Sequence, residues 1–589
     1  GLIEMFDSTI GASTVLMPFG GVTQNTETQV SVQKLPVGNA VTNTASIMAF
    51  GYNPYITSWS PYHGAAYAVV EAASKVVAAG ARYDRMRYSY QEYFERMHTE
   101  TSWGKPLAAL LGALRMQIEL GLPSIGGKDS MSGTFQNINV PPMLMAFGIT
   151  TVDARTVISP EFKASGHNIY IIRHTPRANH MPDSEALKRN FDFVSTAIER
   201  GDIVAAYAVG FGGVVEAVSK MSFGNRFGAD VRMEEHKLFD YAYGSIVVEA
   251  VGELDYPAAE KIGTTAAAAE VVFNGERFAV DELQKVNSRK FCSVYPDRGI
   301  EGGTTRASMP ERREVKYEGK PVDEVKVYIP VFSGTNCDYD TAKAFERAGA
   351  HVATSVFCDL TADDIFASIE TMKRMIDGCH IFVLSGGFSA GDEPDGSGKF
   401  IANVLNNRKI TDAIHALLDR GGLILGICNG FQALVKSGLL PYGRLGCVGK
   451  ESPTLFRNDI NRHVSQIVTT RVATVNSPWL SSFEVGELHS IAVSHGEGKF
   501  VVSDEMAEEL FRNGQVAFQY VDPDGNATLR APYNPNGSSF GIEGIISRDG
   551  HILGKMGHTE RYEDGLFKNI AGNKVQEIFA NAVNYFKGK

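Results

Sequence analysis

Short apolar segments alternate with helical segments from residue 325 onward, and this alternation constrains the fold more than any other feature of the sequence. The apolar segments occupy residues 325–332, 351–357, 380–387 and 423–430, and the helical ones residues 340–348 and 431–436. Parallel strands need a long crossover connection, which is usually a helix. The pattern therefore predicts a largely parallel sheet covered on both faces.

The composition of the chain excludes several classes of protein. At roughly 150 residues per domain, 589 residues predict about three to four domains. Lys plus Arg is 56 against 67 Asp plus Glu, a net charge of −11, which disfavours nucleic-acid and membrane-surface partners. The six cysteines form no CxxC pair, and no apolar run reaches membrane-spanning length. With no signal-peptide pattern at the N-terminus, we expect a cytoplasmic protein without disulfide bonds or zinc.

Changes in residue pattern suggest the domain boundaries. We expect a connecting segment at 1–22, an α/β subdomain at 23–160 and an α+β subdomain at 161–310. The first contains an Ala-rich helix at 64–80, a second helix at 106–120, a glycine-bearing loop at 125–133 and a strand at 143–151. A polar stretch precedes the βα alternation, so we predict a linker at 311–323 and a final domain at 324–589.

A cysteine stands where an apolar strand meets a helix. Gly426 and Gly430 flank Cys428 symmetrically, which is the spacing of a nucleophile elbow. The helix N-terminus is expected to lower the pKa of the thiol; the alternative is a structural cysteine packed beneath a βα turn. Near the end of the chain, His558 and Glu560 are two residues apart and share one face of an extended segment. They are candidates for a general base and the carboxylate that orients it.

These motifs resemble those of class I glutamine amidotransferases, which use a Cys-His-Glu triad. The segments at 333–338, 385–392, 492–499 and 533–537 further resemble the glutaminase domain of the phosphoribosylformylglycinamidine synthases, and Gly-Gly-Lys-Asp-Ser-Met at 126–131 resembles their synthetase domain. The resemblance covers essentially the whole chain. It implies the C-terminal half of the large single-chain form: the second synthetase repeat followed by a flavodoxin-like glutaminase domain, without the N-terminal domain and first repeat.

The resemblance implies a ligase of purine biosynthesis. Cys428 would attack the glutamine amide, His558 would act as base and then acid, and Glu560 would orient the imidazole. Ammonia would then serve the ATP-dependent conversion of formylglycinamide ribonucleotide to formylglycinamidine ribonucleotide. The residues expected to bind glutamine or stabilise the oxyanion are Gly387, Phe388, Asn429, Gln432 and His495.

In the first half, the resemblance implies contacts with ATP, Mg²⁺ and the ribonucleotide, shared with the missing repeat; the glutaminase half needs no metal. The candidate phosphate-binding residues are Gly126, Gly127, Lys128, Asp129 and Ser130. An auxiliary Mg²⁺-nucleotide site of the family retains only Glu71 here, because Lys75 replaces an Asn and residues 208–213 lack two carboxylates. We therefore expect this site to be lost and assign no metal ligand; the alternative is that Lys75 still contacts phosphate.

Two other functions remain open on the sequence. The chain could be a stand-alone glutaminase or Cys hydrolase, although some 320 residues precede the last domain. It could also be a non-catalytic subunit that docks a synthetase, although the cysteine, histidine and glutamate motifs are intact. The expected partners are small-molecule substrates and the missing N-terminal half of the enzyme.

Overall fold

The computed structural model describes residues 2–38, 40–296, 301–392 and 396–588. The chain forms two compact units. The C-terminal unit comprises Gly1–Ala12, Phe291–Asp564 and Gly572–Lys589, and the N-terminal unit comprises Ser13–Lys290 and Gly565–Ala571. The predicted connecting segment at 1–22 is thus divided between the two units. No helix in the described ranges is long and apolar enough to cross a lipid bilayer.

The N-terminal unit contains sixteen strands and six α-helices in its described part. The strands are β1 Phe19–Gly20, β2 Thr26–Glu27, β3 Ser31–Lys34, β4 Thr44–Gly51, β5 Arg87–Tyr93, β6 Ser124–Lys128, β7 Thr134–Phe135, β8 Ile138–Asn139, β9 Met143–Asp153, β10 Asn168–Ile172, β11 Ile203–Ala208, β12 Gly228–Val231, β13 Ile246–Ala250, β14 Ala259–Ala266, β15 Glu270–Phe273 and β16 Glu276–Ala279. The helices are α1 Pro54–Trp59, α2 Pro61–Ala78, α3 Glu100–Leu120, α4 Ser184–Arg200, α5 Gly213–Phe223 and α6 Val280–Arg289.

Two mixed sheets organise the N-terminal unit. The first has the order β3-β4-β9-β5-β6 and is antiparallel except for β5 and β6. Helix α2, which covers most of the Ala-rich helix predicted at 64–80, packs on this sheet with its Ala- and Val-rich face. The second sheet has the order β11-β13-β10-β14-β12-β15-β16, and the buried side of α5 joins its core.

The C-terminal unit contains eleven strands and eight α-helices in its described part. The strands are β17 Lys326–Val331, β18 His351–Val356, β19 Ile381–Leu384, β20 Leu423–Ile427, β21 Thr454–Phe456, β22 Val464–Val472, β23 Leu488–His495, β24 Lys499–Val501, β25 Val516–Tyr520, β26 Ile542–Ile546 and β27 Ile552–Lys555. The helices are α7 Asp338–Arg347, α8 Ala362–Gly378, α9 Lys399–Leu405, α10 Arg408–Asp419, α11 Asn429–Ser437, α12 Leu439–Tyr442, α13 Asp504–Arg512 and α14 Ile578–Lys587.

Nine strands of this unit form one sheet in the order β18-β17-β19-β20-β27-β26-β25-β22-β23. The five strands from β18 to β27 run parallel, as the βα alternation predicts. The remaining four are antiparallel and extend the sheet beyond what the sequence pattern indicated. The α/β class is confirmed. The carboxyl ends of β19, β20 and β27 lie side by side, so the chain segments that follow them converge on one place.

Candidate active site

Cys428 lies at a sharp turn between β20 and α11. Its φ of 52° and ψ of −105° are strained for a residue with a side chain, at a cost of order 1–3 kcal/mol. The flanking glycines are required by close packing: a Cβ on Gly430 would lie 1.9 Å from the carbonyl oxygen of Leu384, and one on Gly426 2.8 Å from the carbonyl of Gly430. The chain therefore holds the thiol in the geometry of a nucleophile elbow.

His558 and Glu560 follow β27, the strand beside the elbow strand. Nδ1 of His558 lies 2.6 Å from Oε1 of Glu560, and both side chains are buried. Nε2 of His558 has no hydrogen-bond partner among the described residues. Because Glu560 accepts the Nδ1 proton, Nε2 is left with its lone pair as a proton acceptor.

The electrostatics keep this pair in the form that a general base requires. Burial, reinforced by the nearby Arg561 guanidinium, lowers the pKa of His558, so its imidazole is neutral. Burial alone would raise the pKa of Glu560, but His558 and Arg561 outweigh it and keep the pKa below its usual value. A neutral imidazole beside an ionised carboxylate is poised to take a proton and to be stabilised once charged.

The thiol itself does not rest as the thiolate. Burial raises the pKa of Cys428 to about 12, although Arg561 and the backbone N–H of Asn429 lower it. The sequence-based expectation of a lowered pKa is wrong for the resting site, because loss of solvent outweighs the helix N-terminus. The S–H group lies 3.7 Å from the carbonyl oxygen of Ser494. The thiol must therefore lose its proton to a base during the reaction.

Gly386 leaves open the space between nucleophile and base. A Cβ on this residue would lie 2.7 Å from Cε1 of His558, 3.0 Å from Sγ of Cys337 and 3.5 Å from Cβ of Cys428. A side chain here would fill the region through which Cys428 and His558 approach one another. Gly386 follows the end of β19 by two residues, and the sequence analysis did not single it out.

The predicted oxyanion donors differ in their availability. Gly387 has a φ of 147°, and a Cβ would lie 2.7 Å from the carbonyl oxygen of Gly334. The N–H of Phe388 donates to that same carbonyl at 2.9 Å, so it is occupied in this structure. The N–H of Asn429 is at the first residue of α11, next to Cys428, and it lowers the pKa of the Cys428 thiol. The N–H groups of Gly387 and Asn429 therefore remain the candidate oxyanion donors, whereas the N–H of Phe388 already forms a hydrogen bond within the turn.

Four of the five predicted oxyanion- or glutamine-binding residues line one cleft, namely Gly387, Phe388, Gln432 and His495; Asn429 is not in its lining. The cleft is partly open to solvent, and its lining includes Cys428, His558, Gln432 and His495. Gln432 donates to the carbonyl oxygen of Glu497 at 2.6 Å and accepts from the Asn429 side chain at 3.0 Å. Asn429 also donates to Asp392 at 2.9 Å. His495 is completely buried, and burial lowers its pKa to about 3, so it is neutral.

Besides Gly386, sequence reasoning assigned no role in the site to Arg561 or to the residues to which it donates hydrogen bonds. Arg561 is buried and donates to Asp7 at 2.7 Å, to Thr9 at 2.9 Å and to the sulfur of Cys337 at 2.9 Å. Burial would raise the pKa of Asp7, but Arg561 and the N–H of Thr9 hold it well below its usual value. Asp7 also lines the cleft. No sequence signal links Asp7 to Arg561, which lies more than 550 residues away along the chain.

Cys337, His558 and Glu560 form one group of potential metal ligands, with their ligand atoms all within 4.8 Å. The cation of Arg561 already contacts Cys337 at 2.9 Å and lies 4.0 Å from Glu560. A second cation here would face this guanidinium and would break the His558–Glu560 hydrogen bond. The donor set therefore fits a proton-transfer site better than a metal site.

In the N-terminal unit, the predicted phosphate-binding residues lie along a sheet edge. Gly126, Gly127 and Lys128 belong to β6, not to a loop as expected, because they pair in parallel with β5. A Cβ on Gly127 would lie 2.6 Å from the carbonyl oxygen of Tyr90, which explains the glycine. Asp129 and Ser130 follow the strand. Burial and the charge of Asp129 raise the pKa of the nearby Glu92 to about 7.

The carboxylates around the predicted auxiliary site are each paired with lysine. Glu71 lies 2.8 Å from Nζ of Lys75 and accepts the N–H of Tyr52 at 2.9 Å. Lys75 also donates to the carbonyl oxygen of Phe50 at 2.8 Å. On the neighbouring helix, Lys220 lies 2.7 Å from Glu216 and 2.5 Å from Glu27.

A hard divalent cation needs several oxygen ligands. Here Glu71 forms an ion pair with Lys75 and Glu216 forms one with Lys220, and residues 208–213 supply no carboxylate. These residues do not fit the Mg²⁺-nucleotide group that the resemblance implies.

The fold and the site together define an α/β protein in which a cysteine elbow faces a histidine–glutamate pair, the arrangement of a glutamine amidotransferase. Residues 324–586 match the family described as the CobB/CobQ-like glutamine amidotransferase domain. Phosphoribosylformylglycinamidine synthase subunit PurQ of Gloeobacter violaceus is 33% identical over 253 residues, which cover 43% of this chain and 96% of that protein. The same subunit of Chlorobaculum tepidum is 35% identical over 259 residues, 44% of this chain and 97% of that protein. The chain therefore belongs to the phosphoribosylformylglycinamidine synthase family of glutamine amidotransferases.

Solved structures that are similar to parts of this chain include proteins named PurLQS and PurL. The structure of PurLQS from Thermotoga maritima matches with 27% identity and a TM-score of 0.33, covering 44% of this chain and 99% of that chain. T. maritima PurL complexed with ATP matches with 17% identity and a TM-score of 0.37, covering 52% of each chain.

Proposed function

We propose that this chain hydrolyses glutamine at Cys428, His558 and Glu560 and delivers the ammonia to an ATP-dependent ligase reaction of purine biosynthesis. The acceptor is formylglycinamide ribonucleotide and the product formylglycinamidine ribonucleotide. The observation that supports this proposal is the strained cysteine elbow beside a buried histidine–glutamate pair, in a domain 33–35% identical to PurQ subunits. A purely docking domain has no need of that geometry.

In the first half-reaction, the sulfur of Cys428 attacks the side-chain amide carbon of glutamine while Nε2 of His558 takes the thiol proton. The imidazolium that forms is stabilised by Glu560, which remains ionised. The N–H groups of Gly387 and Asn429 are the candidate donors to the oxyanion of the tetrahedral intermediate. The imidazolium then returns its proton to the departing nitrogen, which leaves ammonia and a glutamyl thioester.

In the second half-reaction, water attacks the thioester carbonyl. His558 takes a proton from that water, and the second tetrahedral intermediate expels the Cys428 sulfur, which regains the proton. The products are glutamate and the free thiol, so atoms and protons balance over the cycle. Gln432 and His495, both in the cleft lining, are proposed to contact the glutamine substrate.

The N-terminal unit is proposed to act as a synthetase repeat that binds ATP and the ribonucleotide together with a first repeat of the same enzyme. Gly126, Gly127, Lys128, Asp129 and Ser130 are the candidate phosphate contacts on this chain. Mg²⁺ for the complete enzyme is proposed to be held elsewhere than at Glu71, whose carboxylate is occupied by Lys75. Ammonia passed internally is protected from loss to water. We place the enzyme in the cytoplasm.

The test is ammonia release from glutamine by the wild-type chain, with and without ATP and formylglycinamide ribonucleotide. Cys428→Ala is expected to reduce it by about 10³-fold or more. Cys379→Ala is the matched control, because Cys379 is also a buried thiol but lies outside the cleft. Hydrolysis that survives in Cys428→Ala, or that falls equally in both variants, would overturn the proposal.

A further inference from the structure

The segment that carries His558 has little regular structure of its own. It leaves β27 at Lys555 and reaches a single turn of 3-10 helix at Thr559–Arg561. The N–H of His558 donates to the carbonyl oxygen of Ala492 at 2.8 Å. A catalytic base must be held within a fraction of an ångström of its productive position. Other contacts must therefore fix the peptide groups that precede the imidazole.

Two buried charges hold those peptide groups. Oε1 of Glu543, on β26, accepts the N–H of Gly557 at 2.5 Å. Nζ of Lys555 donates to the carbonyl oxygen of Gly557 at 3.0 Å and to Oγ1 of Thr559 at 2.7 Å. The residue before His558 is thus held by both its N–H and its C=O, and the residue after it by its hydroxyl.

Lys555 also contacts the nucleophile through its backbone. Its carbonyl oxygen accepts the N–H of Cys428 at 2.8 Å, while its ammonium group reaches the segment of His558. The third N–H of the Lys555 ammonium group donates to Oε1 of Gln576 at 2.9 Å. One residue therefore ties the elbow and the base segment to the same strand.

Packing leaves little freedom around this arrangement. A Cβ on Gly557 would lie 2.7 Å from Cγ2 of Ile491 and 2.8 Å from Oε1 of Glu543. The side chains of Glu543 and Lys555 are essentially inaccessible to solvent, and their charged atoms lie 3.9 Å apart. Burial raises the pKa of Glu543 and lowers that of Lys555, and each charge opposes the other's shift.

Burying an ion pair is costly, and apolar side chains of similar volume are often as stable. Fold stability therefore does not explain this pair, whereas the position of its hydrogen-bond partners around His558 does. We propose that Glu543 and Lys555 are positioning residues, which clamp Gly557 and so direct the His558 imidazole toward Cys428. This inference rests on the proposed role of His558 as the base of a Cys428 nucleophile.

The experiment uses the full chain and the double variant Glu543→Leu/Lys555→Met, which removes both charges at similar volume. The melting temperature, kcat and KM for glutamine hydrolysis, and the pH profile of Cys428 alkylation by iodoacetamide are measured together, with alkylation assigned by peptide mass spectrometry. We expect a melting temperature within a few degrees of wild type, a kcat lowered about 10- to 100-fold and an unchanged KM. The alkylation profile shifts to higher pH.

Two further variants complete the test. Glu543→Gln keeps an oxygen that accepts the N–H of Gly557, so it is expected to retain at least threefold more activity than Glu543→Leu. Lys343→Met is the matched control, because Lys343 forms an ion pair with Glu563 in the same unit at 3.1 Å. This substitution is expected to leave kcat unchanged.

A folded double variant with wild-type kcat and alkylation profile would overturn the inference. Where that variant does not fold, equal activities of Glu543→Gln and Glu543→Leu would do so. Alkylation does not depend on glutamine, so the test also separates the two proposals. If the double variant shifts the alkylation profile as expected but the wild type does not hydrolyse glutamine, the proposed substrate is refuted. The positioning role of Glu543 and Lys555 would still stand.

Discussion

Two clusters of buried or half-buried carboxylates and cations, one in each unit, combine similar side chains in different ways. In the C-terminal unit, Arg561 donates a hydrogen bond to Asp7, and Glu560 forms a hydrogen bond with Nδ1 of His558. Nε2 of His558 has no partner among the described residues. In the N-terminal unit, Lys75 occupies Glu71 and Lys220 occupies Glu216. A buried charge by itself therefore does not mark a reactive site. What distinguishes the C-terminal cluster is that Nε2 of His558 has no partner in the described part of the chain and that both His558 and Cys428 line the cleft.

Among the tests of this comparison, the largest effect is expected from filling the space between Cys428 and His558. Gly386→Ala places a methyl group 2.7 Å from Cε1 of His558 and 3.0 Å from Sγ of Cys337, which is too close for both side chains to stay in place. Displacing the imidazole by about 1 Å is expected to lower kcat for glutamine hydrolysis by roughly 10²-fold or more. Steady-state ammonia release checks this.

The control for that variant is Gly378→Ala, at the end of α8, where an added Cβ meets nothing within 4 Å. It is expected to retain wild-type activity. If Gly386→Ala were equally active, the open space between Cys428 and His558 would not be needed for catalysis, and the distinction between the two clusters would fail.

A smaller effect is expected from Asp7→Asn, which leaves the Arg561 cation without its carboxylate. Without the Asp7 charge, the Arg561 cation lowers the basicity of His558 further, so we expect a kcat about 10-fold lower. We also expect a loss of about 1–3 kcal/mol in unfolding free energy at pH 7, because the buried guanidinium loses a charged hydrogen-bond partner. Kinetics and urea denaturation measure the two quantities. Asp412→Asn, at an exposed position of α10, should change neither.

The stability effect of Asp7 has a defined pH dependence. Its pKa in the folded chain is held below the usual 3.8, so the carboxylate contributes stability that is fully present above pH 3.8. That contribution is lost as the pH falls through the folded pKa. The difference in unfolding free energy between wild type and Asp7→Asn should therefore be constant from pH 5 to 8 and narrow below pH 3.8. A difference that instead narrowed between pH 5 and 8 would show that Asp7 is not held by Arg561 as described.

The sequence predicted what depends on neighbours along the chain. Alternating apolar and helical segments predicted the parallel strands, and the glycines around Cys428 predicted the strained elbow, because both follow from local geometry. The family resemblance predicted the functional class, which the comparisons confirm. Residue-level roles in the site stay predictions.

What the sequence could not predict depends on distant contacts and burial. The four antiparallel strands β22, β23, β25 and β26 carry no βα signal, and the placement of Gly126 in a strand depends on pairing with β5. The raised pKa of Cys428 reflects its exclusion from solvent, which no local motif reports. Asp7 reaches Arg561 only because the chain folds back across the whole length of the sequence.

The smallest expected effect is the absence of one, in the N-terminal cluster. A Mg²⁺ site with a dissociation constant of 1 mM would stabilise the chain by about 1.4 kcal/mol at 10 mM Mg²⁺. Because Lys75 and Lys220 already neutralise Glu71 and Glu216, we expect no saturable change in melting temperature with Mg²⁺ or Mg²⁺-ADP, measured against NaCl at equal ionic strength. A saturable increase that Glu71→Gln abolishes would show a working metal site and erase the contrast between the two clusters. If the increase in melting temperature persisted in Glu71→Gln, the Mg²⁺ would bind at another site. The difference between the two clusters would then stand, because the Glu71 carboxylate would have no part in that binding.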